Sequence, residues 1–173
     1  MKGGAPGRIG AILLGCTHAG GKLRVSPSAE TVALLMDTKG LSREQIMRQQ
    51  TPLFFSEKFR TESFKEIEAH YRSLLKAPAQ PEYAFQAQVG AVVQFDCTSA
   101  LSEIGNPILV VTGTEDILIP PANSKFLAGR LPNCELIEIA GAGHCLHVEC
   151  RDFLNRTVHS FYQKHLSEQG THD

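Results

Sequence analysis

Two stretches of the chain are apolar almost without interruption, Ile9-Gly-Ala-Ile-Leu-Leu14 and Ile108-Leu-Val-Val-Thr112. Each is too short for a typical helix and fits a parallel strand covered on both faces. A third run, Glu135-Leu-Ile-Glu-Ile139, carries two carboxylates, as a half-exposed strand near a sheet edge does. Between the first two runs, from Ser26 to about Phe95, the pattern turns helical. Ser42 with Gln45, and Ser63 with Glu66, stand at capping-box spacing and predict two helix starts. In the second of these helices Phe64, Ile67, Tyr71, Leu74 and Leu75 form one apolar stripe, with Lys65, Glu66, Glu68 and Arg72 largely on the other face. Pro78 and Pro81 stop it, and a further helix is expected over Glu82 to Phe95. Thr51-Pro-Leu-Phe-Phe55 precedes the stripe, and its paired aromatics require burial or a ligand. Pro120-Pro121 opens a helix running to about Leu131, and a last helix spans about Arg151 to Leu166, followed by a frayed tail over 167–173.

Strands alternating with helices imply right-handed crossovers and a parallel sheet, hence an α/β fold of about three strands. The expected organisation is a core strand with its strand-end loop at 8–25, a helical insertion at 26–95, and a second α/β segment at 96–166. Ligands in such sheets bind beyond the carboxyl ends of the strands. The loop Cys16 to Gly21, Asp116 and His144 all fall at those ends, so they are expected to converge.

Composition narrows the function classes. A net charge of −1 gives no electrostatic case for nucleic acid or an anionic membrane. The apolar runs are far shorter than the roughly 20 residues of a membrane helix, and Met1 to Gly7 has no apolar signal core, so a cytoplasmic address is expected. The five cysteines form no Cys-x-x-Cys pair and are read as free thiols. His144-Cys-Leu-His-Val-Glu-Cys150 offers two imidazoles, two thiols and a carboxylate, yet the spacing matches no standard zinc pattern and no second ligand pair lies elsewhere in the sequence. No metal or other cofactor is expected.

Gly113-Thr-Glu-Asp116-Ile-Leu-Ile-Pro120 and Gly141-Ala-Gly-His144-Cys-Leu-His-Val-Glu149 each follow a strand. Together they resemble the acid and base segments of the α/β-hydrolase fold family, in its lactonase, esterase and haloperoxidase-like group, and the likeness runs from Arg8 to about Leu166. The resemblance implies the C-terminal part of an α/β-hydrolase parallel sheet with a helical lid insertion. It makes Asp116 the acid and His144 the base of a Ser-His-Asp triad, in the family's chain order. In that chemistry the imidazole takes the serine's proton and returns it to the leaving group, while the aspartate holds the ring's tautomer. Gly141 and Gly143 would supply the backbone freedom that swings His144 into the site. Asp116 has a second reading, as the cap of the helix that begins near Pro120. His144 has one as an ordinary loop histidine. His18, Phe54 and Phe55 are candidate pocket residues, against loop bracing for His18 and packing beneath the lid for the phenylalanines. Glu149 is read as a structural hydrogen-bond partner.

No Gly-x-Ser-x-Gly occurs in the sequence, and neither Cys16 nor Cys145 sits in such an elbow. By resemblance the nucleophile elbow, the oxyanion loop and the first strands precede Met1. The chain alone is therefore expected to be inactive and to associate with itself through the exposed strand Ile9 to Leu14. The resemblance implies a small ester or lactone as the substrate of the complete enzyme, in the manner of 3-oxoadipate enol-lactonase-like enzymes. The alternatives are a non-catalytic interaction module built on the same fold, and a cofactor-free haloperoxidase or carbon–carbon bond hydrolase using the same triad.

Overall fold

The computed structural model describes residues 9–166; Arg8 and the tail expected to fray lie outside the described residues. Three parallel strands form the sheet in sequence order: β1 (Ile12–Gly15), β2 (Ile108–Gly113) and β3 (Cys134–Ile139). β2 pairs with β1 from Ile12↔Ile108 to Gly15↔Val111, and with β3 from Ile108↔Cys134 to Gly113↔Ile139. Every residue of β2 is buried, as its unbroken apolar sequence demands. The pleat divides its side chains between two cores. Ile108 and Val110 pack with Leu101, Leu127 and Leu131 on one face. Leu109 and Val111 pack with Ala142, Leu146 and Phe161 on the other.

β1 departs from expectation. It begins three residues later than its apolar run, after a bend at Gly10, and it is an edge strand with one covered face. Leu13 is 36% exposed and Ile9 57% exposed, because the flank of β1 away from β2 has no neighbouring strand among the described residues.

Between β1 and β2 lie six α-helices: α1 (Ala29–Met36), α2 (Arg43–Gln49), α3 (Thr51–Phe54), α4 (Glu57–Glu62), α5 (Phe64–Lys76) and α6 (Glu82–Gln94), followed by a 3₁₀ turn over Thr98–Glu103. An antiparallel bridge, Gly20↔Asp96, pins the two ends of this insertion together. Gly20 has φ +74°, and a Cβ there would strike the Phe95 carbonyl, so both the turn and the close approach require glycine. Asn123 secures the strap that leaves β1: it accepts from Val25 N at 2.9 Å and donates to Val25 O at 2.8 Å.

The capping box at Ser42 and Gln45 forms on α2 as read. The one expected at Ser63 and Glu66 does not. Ser63 also ends α4, its amide donating to Phe59 O, and its backbone (φ −127°, ψ 39°) leaves the extended region in which a capping side chain reaches forward. Caps the sequence reading passed over are Ser28 on α1 and Ser56 on α4. The stripe on α5 is only half covered: Ile67 and Tyr71 are buried with Phe55 and Cys145, while Phe64, Leu74 and Leu75 remain exposed.

After β2, α7 (Ala122–Ala128) is shorter than expected at both ends, since Pro121 is its N-cap and Gly129 its C-cap. A short α8 (Leu146–Glu149) follows the base segment, and α9 (Arg151–Leu166) covers the second core with Phe161. No helix of the described residues is long and apolar enough to cross a membrane.

Candidate active site

The site grows from the carboxyl ends of the three strands. β2 ends at Gly113, where a Cβ would run into the carbonyl oxygens of Ala142 and Gly143. Only glycine lets the two loops touch there. Backbone bonds then lock them: Thr114 N donates to Ile139 O at 3.0 Å and Glu115 N to Ala142 O at 2.9 Å. Gly141 N donates to Thr114 Oγ1 at 2.9 Å. Gly141 takes φ +72°, the left-handed turn the sequence implied. Gly143 does not; its missing Cβ instead makes room for Ser56 N and the Glu149 carboxylate.

Asp116 and His144 meet across this junction. Asp116 is 3% exposed, and its Oδ2 lies 2.9 Å from His144 Nδ1. Its Oδ1 accepts from the amides of Leu118 at 3.0 Å and Ile119 at 2.8 Å. The two readings of Asp116 are thus divided between its two oxygens, except that the braced segment is a loop turn; α7 begins later, at Ala122. A carboxylate can only accept, so the proton of a neutral His144 sits on Nδ1. Nε2 is then the free basic nitrogen, on a side chain 23% exposed. That is the orientation a general base requires.

The base loop is held from the insertion. Cys145 N donates to Phe54 O at 2.8 Å. Glu149 accepts from Ser56 N at 2.6 Å, from Ser56 Oγ at 3.1 Å and from Gly143 N at 3.1 Å. Glu149 is therefore the structural partner expected, and Ser56, which nothing in the sequence pattern marked, is what it holds.

The remaining candidates separate. The Phe54 ring lies 6.0 Å from the His144 ring at a tilt of 58°. Phe55 is buried between the insertion and the base loop, against Phe59 and Tyr71. His18 Nδ1 accepts from Gly20 N at 3.0 Å, bracing its own loop, and burial followed by Arg24 lowers its pKa.

Cys16 opens the strand-end loop expected to converge with Asp116 and His144, and it does. It follows β1 directly and, among the described residues, is the non-glycine with positive φ, at 46°. Atoms of its thiol, of Asp116 and of His144 lie within 4.8 Å of one another. Burial, then Asp116, pushes its thiol up to about 12. Burial, then Glu149, does the same to Cys145. Both thiols are neutral at physiological pH, the opposite of an activated thiolate nucleophile.

The fold and this paired acid and base place the molecule among α/β hydrolases. The chain belongs to that family: the sequence profile of the alpha/beta hydrolase fold matches residues 38–149. It is 39% identical over 70 residues to proline iminopeptidase PfmaB of Pestalotiopsis fici, covering 40% of this chain and 25% of that protein. The structure is similar to the enol-lactonase from Burkholderia xenovorans LB400, with a TM-score of 0.72, 21% identity, and coverage of 90% of this chain and 57% of that one. It is likewise similar to a thermophilic esterase from Thermogutta terrifontis, with a TM-score of 0.70, 22% identity, and coverage of 91% and 57%. At such identities the likeness speaks to the fold. The chain spans about a third or less of the length of the curated relatives it matches.

Proposed function

We propose that this chain supplies the acid, Asp116, and the base, His144, of a Ser-His-Asp hydrolase acting on a small ester or lactone, and that the nucleophile is contributed by polypeptide outside these 173 residues. The observation that carries the reading is the 2.9 Å contact between a buried Asp116 oxygen and His144 Nδ1, with Nε2 left free on a partly exposed ring. The enol-lactonase and esterase among the structural relatives support the substrate class. In the reaction Nε2 takes the serine proton as its oxygen attacks the carbonyl, Asp116 stabilises the imidazolium, and the proton passes to the leaving alcohol. Phe54, beside the ring, is the candidate to line the acyl side, with Phe55 fixing the segment from beneath and His18 bracing the loop opposite.

Fluorophosphonate labelling tests where the nucleophile lies. The purified chain is expected to take no stoichiometric label while circular dichroism shows it folded. Labelling of one serine, lost in His144→Ala, would place the nucleophile within the chain and overturn that part of the reading.

The open flank of β1 is the proposed junction with the missing part, and in its absence with a second copy. A strand edge with unpaired amides and carbonyls pairs with whatever strand it meets, and a lysine on such an edge suppresses this. Light scattering after gel filtration is expected to show concentration-dependent self-association, shifted toward monomer by Leu13→Lys. A wild-type chain that stays monomeric at all concentrations and melts cooperatively speaks against the edge as a junction.

A further inference from the structure

We propose that His70, Cys145 and His147 form a binding site for a zinc-class divalent cation that ties the helical insertion to the base loop. The sequence offers Cys145 and His147 among the donors of the segment that begins at His144, at a spacing that matches no standard zinc pattern. The fold brings the third from α5, where His70 faces α8. One ligand atom from each of the three lies within 4.8 Å of the other two. The two imidazole rings sit 5.6 Å apart in an edge-on arrangement at 66°.

The donor set and its surroundings favour this class of ion. Two imidazoles and one thiolate suit zinc and its neighbours in the transition series, whereas calcium and magnesium seek oxygen ligands. Zinc bonds of about 2.0–2.1 Å to nitrogen and 2.3 Å to sulfur place tetrahedral ligands roughly 3.3–3.6 Å apart, so ligand atoms within 4.8 Å of one another need close by at most about 1.5 Å. Cys145 is 9% exposed and gives the site a dry floor. His70 and His147 line a cleft of about 610 Å³ between α5 and the start of α9, which is also bordered by Glu66, Glu149 and Asp152. The cleft, which Arg151 also lines, gives an ion its entry path and leaves the fourth position to water. Binding displaces the Cys145 thiol proton to solvent as the sulfur–metal bond forms.

The site would bear on the pair through the chain itself. Cys145 follows His144, and its amide already holds the Phe54 carbonyl. A metal on its sulfur and on His70 would clamp the insertion onto the base loop in one arrangement.

The test is cobalt(II) and zinc(II) titration of the reduced, folded full chain. One equivalent of cobalt is expected to give tetrahedral d–d bands with thiolate-to-cobalt charge transfer, bleached by zinc. Zinc is expected to raise the melting temperature. Cys145→Ser removes the charge-transfer band, and His70→Ala and His147→Ala each weaken binding by about 100-fold or more. Cys16→Ser leaves the spectrum unchanged, because the second cluster, Cys16 with Asp116 and His144, is not the site. Absence of binding to the folded wild-type chain overturns the proposal. So does charge transfer that survives Cys145→Ser, or binding that His70→Ala leaves intact while circular dichroism shows a native fold; either marks adventitious thiol binding.

Discussion

In the proposed enzyme, once completed by its nucleophile, His144→Ala is expected to lower kcat by about 10⁴–10⁶-fold and Asp116→Asn by about 10⁴-fold, with little change in KM. The histidine effect follows from chemistry: without an acceptor on the serine proton, the hydroxyl is a poor nucleophile. The asparagine effect follows from the geometry of this site. Oδ1 of Asp116 accepts from two backbone amides, and in Asp116→Asn only the carbonyl oxygen can take that place. The amide nitrogen is then forced toward His144 Nδ1, which must accept. The ring's proton moves to Nε2, and the base is lost while the turn is preserved. Rates of hydrolysis of short-chain esters and small lactones, measured on the chain co-expressed with a hydrolase half that bears the elbow, provide the check. A variant that is folded and within about tenfold of wild-type kcat removes that residue from the mechanism. If both variants stay that close, the acid–base reading of the pair fails, and the open edge of β1 alone would have to carry the function.

What could be read beforehand tracks how local each signal is. The burial of β2 on both faces, the end of α5 at Lys76 ahead of Pro78, and the span of α9 all follow from residues adjacent in sequence. So does the meeting of Asp116 with His144, because two successive parallel strands deliver their following loops to the same end of a sheet. The limits of β1 were less legible, since a continuous apolar run cannot tell a central strand from an edge strand. The false capping box at Ser63 shows the same limit at shorter range. Spacing marks a possible cap, but only the backbone angles, here fixed by the end of α4, decide whether it forms. The meeting of Cys16 with Asp116 and His144 was legible in the same way as that pair, since its loop follows the neighbouring parallel strand. Its left-handed backbone was not, because no pattern around residue 16 records it. The meeting of His70 with His147, from α5 and α8, is hidden in the same way.

Glu149→Ala is expected to destabilise the fold by about 1–3 kcal/mol, the cost of leaving a buried donor without its acceptor. The carboxylate gathers three donors: Ser56 N, Ser56 Oγ and Gly143 N. Ser56 is 4% exposed, so truncation leaves at least one main-chain N–H buried without its acceptor. Burial turns a modest bond into an expensive vacancy. Packing cannot close the gap, because Gly143 has no side chain with which to fill it. The loss should be selective in space. Ser56 caps α4, and Gly143 precedes His144, so the damage falls on the seam between the insertion and the base loop. Amide hydrogen exchange is therefore expected to rise over Phe54 to Phe59 and Gly141 to Cys145, while the amides of β2 keep their protection. Glu149→Gln retains one acceptor oxygen and is expected to fall between wild type and Glu149→Ala in urea denaturation. Equal stability of all three proteins, or exchange that rises uniformly through the sheet, would remove Glu149 as the tie between insertion and base.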